Sequence, residues 1–90
     1  MNGKESNFFL HIGANVSVRK ADLLAIVDLD SATISKVTRN FLREAEKSGR
    51  MTAISTELPR SMVMVTDGSI YLSHISASTL CERLEAPLAQ

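Results

Sequence analysis

Aromatic side chains are scarce in this 90-residue chain, which has three Phe, one Tyr and no Trp. So few rings do not suit a stacking platform for single-stranded nucleic acid. Cysteine is rarer still. Cys81 stands alone, so no intramolecular disulfide can form, and a single thiol without clustered partners is no metal framework. Excess charge is missing as well. Ten Lys and Arg balance ten Asp and Glu, for a formal net charge of +0, which argues against strong non-specific DNA binding by one isolated chain. Long apolar runs are absent. Phe8-Phe9-Leu10-His11-Ile12 is far too short for a signal-peptide core or a membrane span, and we read the protein as cytoplasmic. No phosphate-binding glycine loop, repeat or low-complexity segment occurs, and no cofactor or small-molecule substrate is implied.

Ninety residues make one domain with a modest core. With disulfide and metal set aside, self-association is the remaining source of extra stability. The core itself must come from Val, Ile and Leu, and the pattern is that of an α+β protein rich in short strands. Residues 1–7 are polar and read as a flexible N-terminus. Phe8 to Ile12 alternates, with Phe8, Leu10 and Ile12 on one face. Asn15 to Arg19 follows with Val16 and Val18 inward, and Gly13-Ala14-Asn15 supplies the turn of a hairpin. Leu23 to Leu29, LLAIVDL, is the most apolar run and reads as a buried central strand. Met51 to Ser55 reads as a further short strand. Ser61 to Thr66 and Ile70 to His74 flank an Asp67-Gly68 pair, the strongest hairpin signal in the chain. Ser76 can cap a short helix carrying Leu80 and Leu84, and residues 85–90 read as a loose tail.

Thr33 to Arg50 is the one long helix. Lys36, Arg39, Arg43, Lys47 and Arg50 recur at helical spacing along one stripe, and Ile34, Val37, Phe41 and Ala45 fall opposite, with Leu42 at the edge. Asp30, Ser31 and Thr33 are candidate N-caps, and Gly49 is the expected residue just past the C-terminus. Residues 33–50 carry five basic against two acidic side chains, a local +3. A neutral total can therefore still present a basic face.

Each feature has a plain alternative. The stripe can be a solvated surface, and the helix dipole already favours Lys47 and Arg50 where they stand. Arg39–Arg43 and Arg43–Lys47 are like-charge pairs four apart, costing about a few tenths of a kcal/mol each, which favours a partner only weakly. Arg19, Lys20 and Arg60 can simply blunt sheet edges. His11 and His74 have no second ligand at metal spacing and read as structural. Cys81 reads as a small core residue, since no base is placed beside it. Asp30 as a helix cap and an ion pair at Asp28 account for those two acids. Met51, Met62 and Met64 read as core or interface filler.

Taken in order, LHIGANVSV, KADLLAIVDLDS, KVTRNFLREAEKSGR, LPRSMVMVTDGSIYLSHIS and TLCERL resemble the bacterial extracellular-matrix regulators of the RemA/RemB family, and most closely the RemB branch. The likeness runs over residues 8–84 and lies in the succession of pieces rather than in any catalytic signature. It implies a LytTR-like fold and a DNA-associated regulator of biofilm-matrix genes that assembles into rings and presents repeated basic residues to duplex DNA. The family places DNA-contacting arginines where this chain has Asp22 and Leu58-Pro59. The nearby cations here are Arg19, Lys20 and Arg60, and these are the first candidates for DNA contact, because a phosphate needs charge more than exact geometry. Lys36, Arg39, Arg43, Lys47 and Arg50 are secondary candidates for DNA or a neighbouring subunit. The alternative is a ring-forming interaction protein that does not touch DNA. No acid–base pair, nucleophile or metal cluster is readable, and no enzyme is expected.

Overall fold

A computed structural model describes residues 8–30 and 35–85. The expectations for residues 1–7, for Ser31, Thr33 and Ile34, and for residues 86–90 lie outside the described residues. Among the described residues six strands and two helices follow in the order β1 (Phe9–Gly13), β2 (Val16–Arg19), β3 (Leu23–Asp28), α1 (Lys36–Lys47), β4 (Met51–Ala53), β5 (Ser61–Val65), β6 (Ile70–Ser73) and α2 (Ala77–Glu85). A 3-10 turn at Lys20–Asp22 joins β2 to β3. The α+β class expected from the sequence is what forms.

β1 and β2 make an antiparallel hairpin of their own. Ala14 and Asn15 both take positive φ, at 51° and 64°, the backbone of a turn whose twist matches the flanking strands. The other four strands form one sheet in the order β3-β5-β6-β4. β3 pairs antiparallel with β5, β5 antiparallel with β6, and β6 parallel with β4. β3 and β4 therefore run parallel, joined through α1, with the β5–β6 hairpin lying between them. LLAIVDL does form a strand, but on the sheet's edge and half-buried, not at its centre. A bulge between Leu23 and Ala25 turns Leu24 out of the ladder, where it is 62% exposed. Bulges at a sheet rim discourage further pairing.

The sheet is apolar on both faces, as cross-strand neighbours show. Val63 and Val65 pack with Leu10, Ile12, Val18 and Leu80, so β1–β2 and α2 cover one face. Met62 and Ile70 pack with Ala45, and Phe41 and Leu42 join them, so α1 lies on the other. Two buried serines join the layers. Ser73 Oγ donates to the Ile12 carbonyl at 2.6 Å and accepts from the Ile75 amide at 3.0 Å, and Ser61 Oγ donates to the Ile75 carbonyl at 2.8 Å. Both hydroxyls are thereby satisfied, as buried polar groups must be.

The described part of α1 opens at Lys36. Ser35 is the N-cap, its Oγ accepting from the Thr38 amide at 3.1 Å, whereas Asp30 accepts from Arg60. Val37 is 78% exposed rather than packed, because among the described residues the helix meets the sheet from its middle onward, through Phe41, Leu42 and Ala45. The helix ends as expected at Gly49, with φ +76°. The Gly49 amide donates to the Glu46 carbonyl at 3.2 Å and the Arg50 amide to the Ala45 carbonyl at 3.0 Å, the paired bonds of a Schellman cap. Ser76 caps α2, accepting from the Thr79 amide. Leu80 is buried, and Cys81, one residue and about 100° further round the helix, is exposed rather than part of the core. Phe8 precedes β1 and is 64% exposed instead of continuing its inward face.

Gly13 has φ +116°, and a Cβ there would stand 3.1 Å from the His74 ring. Gly49 also has positive φ, but a Cβ there meets nothing. Gly13→Ala is expected to cost about 2–3 kcal/mol through strain and crowding together, and Gly49→Ala only about 1 kcal/mol. Urea denaturation midpoints of the two variants check this, and equal shifts would contradict it.

Candidate nucleic-acid interface

The first-ranked cations are not brought together. Arg19 and Lys20 precede β3, and Arg60 precedes β5. Because β3 and β5 are antiparallel, with Leu23 opposite Val65 and Asp28 opposite Ser61, these residues sit at opposite ends of one strand pair. Six residues of strand separate them, about 20 Å.

Two of the three are paired within the chain. Arg19 Nε and Nη2 donate to Asp22 at 3.0 and 3.2 Å. The 3-10 turn causes this, since residues three apart eclipse in that geometry. Hydrogen bonding to Asp22, and then its charge, hold the Arg19 proton more tightly than usual. Arg60 Nε donates to Asp30 at 2.9 Å. Asp22 thus neutralises its own neighbour. Such exposed pairs are weak, so a phosphate can displace either carboxylate at small cost. Lys20 takes part in no ion pair among the described residues.

The α1 stripe is a different surface. Lys36, Arg39, Arg43 and Lys47 are all exposed on a helix of 12 residues, about 18 Å long. Lys36, Arg43 and Lys47 join no ion pair among the described residues, and Arg43 reaches only Asn40, at 3.5 Å. Arg50 behaves otherwise. It donates to Ser48 Oγ at 3.0 Å and to the Gly68 carbonyl at 3.3 Å, and its guanidinium lies 5.8 Å from the centre of the Phe41 ring. It fastens the end of α1 to the β5–β6 turn. That turn also receives the 3-10 segment, the Thr66 amide donating to the Asp22 carbonyl at 2.8 Å. The C-terminal end of α1 and Lys20 therefore share one end of the molecule. In the turn, the Ser69 amide donates to Asp67 at 2.8 Å and holds its carboxyl below the ordinary value. The bond to the ionised form is present above about pH 4 and is lost as the pH falls through the lowered value.

Sequence reasoning missed Asp22 and Asp30 as the partners of Arg19 and Arg60. The spacing of Arg19 and Asp22 could have shown the first. The second joins residues 30 apart and had no local signal. His11 is exposed and gives its carbonyl to Arg83 at 3.0 Å. His74 packs against Gly13. Among the described residues no three His, Cys, Asp or Glu side chains are grouped to hold a metal, and no helix is long and apolar enough to cross a membrane.

The described residues form a small α+β domain in which a strand–helix–strand crossover encloses a hairpin, and the helix carries a cationic outer face. Residues 9–84 match the family model described as RemA-like, extracellular matrix regulatory protein A-like, and the chain belongs to that family. The family is described as one of regulatory proteins. No curated protein matches the sequence.

Arg50→Ala is expected to cost about 1 kcal/mol, the sum of a hydrogen bond and a ring contact on an exposed site. Lys47→Ala, which removes no such interaction, should stay within about 0.5 kcal/mol. Thermal melts of the two variants check the contrast, and an equal loss from both would contradict the fastening role.

Proposed function

We propose that this chain is a DNA-associated transcriptional regulator of biofilm-matrix genes, of the RemB type and with a LytTR-like fold, acting in the cytoplasm as a ring-shaped homo-oligomer. The observation that carries the reading is the α1 stripe, a row of exposed cations about 18 Å long in a member of a regulatory family. Within it Lys36, Arg43 and Lys47 join no ion pair among the described residues, and these three meet phosphates. Arg60 adds a contact once a phosphate displaces Asp30. Repetition around a ring multiplies each of these cations, so a neutral single chain is no obstacle.

The alternative is a ring-forming interaction protein that does not itself touch DNA. The pairing of Arg19 with Asp22 and of Arg60 with Asp30 favours it, as does the apolar Leu58-Pro59 loop where the family carries arginines. In that reading the α1 stripe meets acids of a neighbouring subunit or of another regulator.

Fluorescence anisotropy on a labelled duplex between 50 and 200 mM salt separates the two. DNA binding through the stripe predicts affinity that falls steeply with salt. A Lys36→Ala, Arg43→Ala, Lys47→Ala variant should then show a log–log salt slope shallower by about 0.9 for each phosphate it no longer neutralises. No binding to any duplex at 50 mM salt would sink the direct role. Charge reversal at Arg39 and Arg43 completes the comparison. It should leave the solution mass unchanged if the stripe serves DNA and dissociate the oligomer if the stripe serves assembly.

A further inference from the structure

The molecule leaves two apolar surfaces uncovered, at opposite ends of β3. At the end that follows β3, Leu29, Leu42, Met51, Leu58, Pro59 and Leu72 line a groove of about 500 Å³ between α1 and the loop before β5. Leu58 on its rim is 84% exposed. The groove exists because, among the described residues, α1 covers its face of the sheet only from its middle onward. At the end that precedes β3, Phe8 and Phe9 are 64% and 43% exposed and border a shallow surface with Ala21, Arg19 and Lys20. Phe9 is held there by its register opposite Arg19 in the hairpin. Half of the chain's four aromatic residues thus stand largely outside the described core.

The two surfaces are opposite in charge. The groove end carries Asp28, Asp30 and Glu57 against Arg60, a formal −2, and the aromatic end carries Arg19 and Lys20 against Asp22, a formal +1. The groove does not have the lining of a small-molecule site, which sets a few convergent polar groups in an apolar wall. Its one charged lining group, Asp30, is already engaged by Arg60 at 2.9 Å.

We infer that the Phe8–Phe9 pair of one copy seats in the Leu29–Leu58 groove of the next, with Arg19 and Lys20 set against the acidic rim. Two different patches meet, so the contact is head-to-tail, and such contacts close into a ring when the rotation per subunit allows it or grow into a filament when it does not. This inference rests on the self-association in the proposed function and names the surfaces that carry it.

The test uses two variants of the full chain, each altered only at exposed positions. Phe8→Ser with Phe9→Ser removes the inserting pair and leaves the groove. Leu58→Lys spoils the groove, placing a cation against Arg19 and Lys20, and leaves the aromatic pair. Light scattering should give a large oligomer for the parent and a single 9.8 kDa chain for each variant alone. An equimolar mixture should give twice that mass and no more, since each variant keeps one working surface and the pair can make only one contact. Circular dichroism of the variants confirms that they are folded. Variants that stay assembled, or a mixture that stays monomeric, would overturn the head-to-tail contact and leave self-association by another surface standing. A parent that is itself monomeric would overturn both.

Discussion

The four-stranded sheet has two apolar faces, and everything else in the molecule is arranged to cover them. Val63 and Val65 point one way, Met62 and Ile70 the other, so neither face can meet water without loss. The β1–β2 hairpin and α2 close the first face, where Leu10, Ile12 and Leu80 are essentially fully buried. Among the described residues α1 alone covers the second face, through Phe41, Leu42 and Ala45. The groove beside Leu58 is where the described residues leave that face open.

Covering a sheet with a separate hairpin creates a second constraint, because backbone groups between the layers must find partners. Ser61 and Ser73 are opposite each other on β5 and β6, both buried, and both spend their hydroxyls on Ile12 and Ile75. Serine at these positions gives up apolar area and gains a fixed distance between layers. Gly13 completes the joint, since its missing side chain lets the hairpin approach the His74 ring. On the opposite face the Schellman cap and Arg50 do the corresponding work, fixing the end of α1 to the β5–β6 turn. The helix is thus rigidly held at its C-terminal end and projects at the other, where Val37 is left in solvent.

Local rules made most elements legible. Asp67-Gly68, Gly49, Ser76 and the alternation in Val16–Arg19 each depend on a few neighbouring residues, and each was readable. What escaped were properties set by distant parts of the chain. LLAIVDL reads as central because it is apolar throughout, but edge position is decided by how β5 and β6 pair, far along the chain. Val37 lies on the apolar stripe of α1, yet periodicity cannot say how much of a helix the sheet below it reaches. Cys81 is apolar enough for a core, but Leu80 and Leu84 take the inward stripe. The candidate site was legible as a set of cations and not as a surface. Ion pairing depends on tertiary neighbours, and it was Asp30, far from Arg60 in sequence, that changed the ranking.

That change bears on how a chain with no net charge can favour a polyanion. Charge that is paired within the fold, as at Arg19–Asp22 and Arg60–Asp30, largely cancels at the distance of a ligand, and salt screens what remains within about 8–10 Å. Unpaired charge on one face is not cancelled by acids on another once the separation exceeds that length. Lys36, Arg43 and Lys47 stand on the outer face of α1, while Glu82 and Glu85 stand on α2, with the whole sheet between the two helices. A phosphate approaching α1 therefore meets a local excess of positive charge that the formal total conceals. Assembly through the ends of β3 would leave that outer face uncovered in every subunit, so the number of presented cations grows with the oligomer while the net charge stays near zero. On the proposed reading, binding would then depend on both salt and subunit number, and a single chain would hold DNA only weakly.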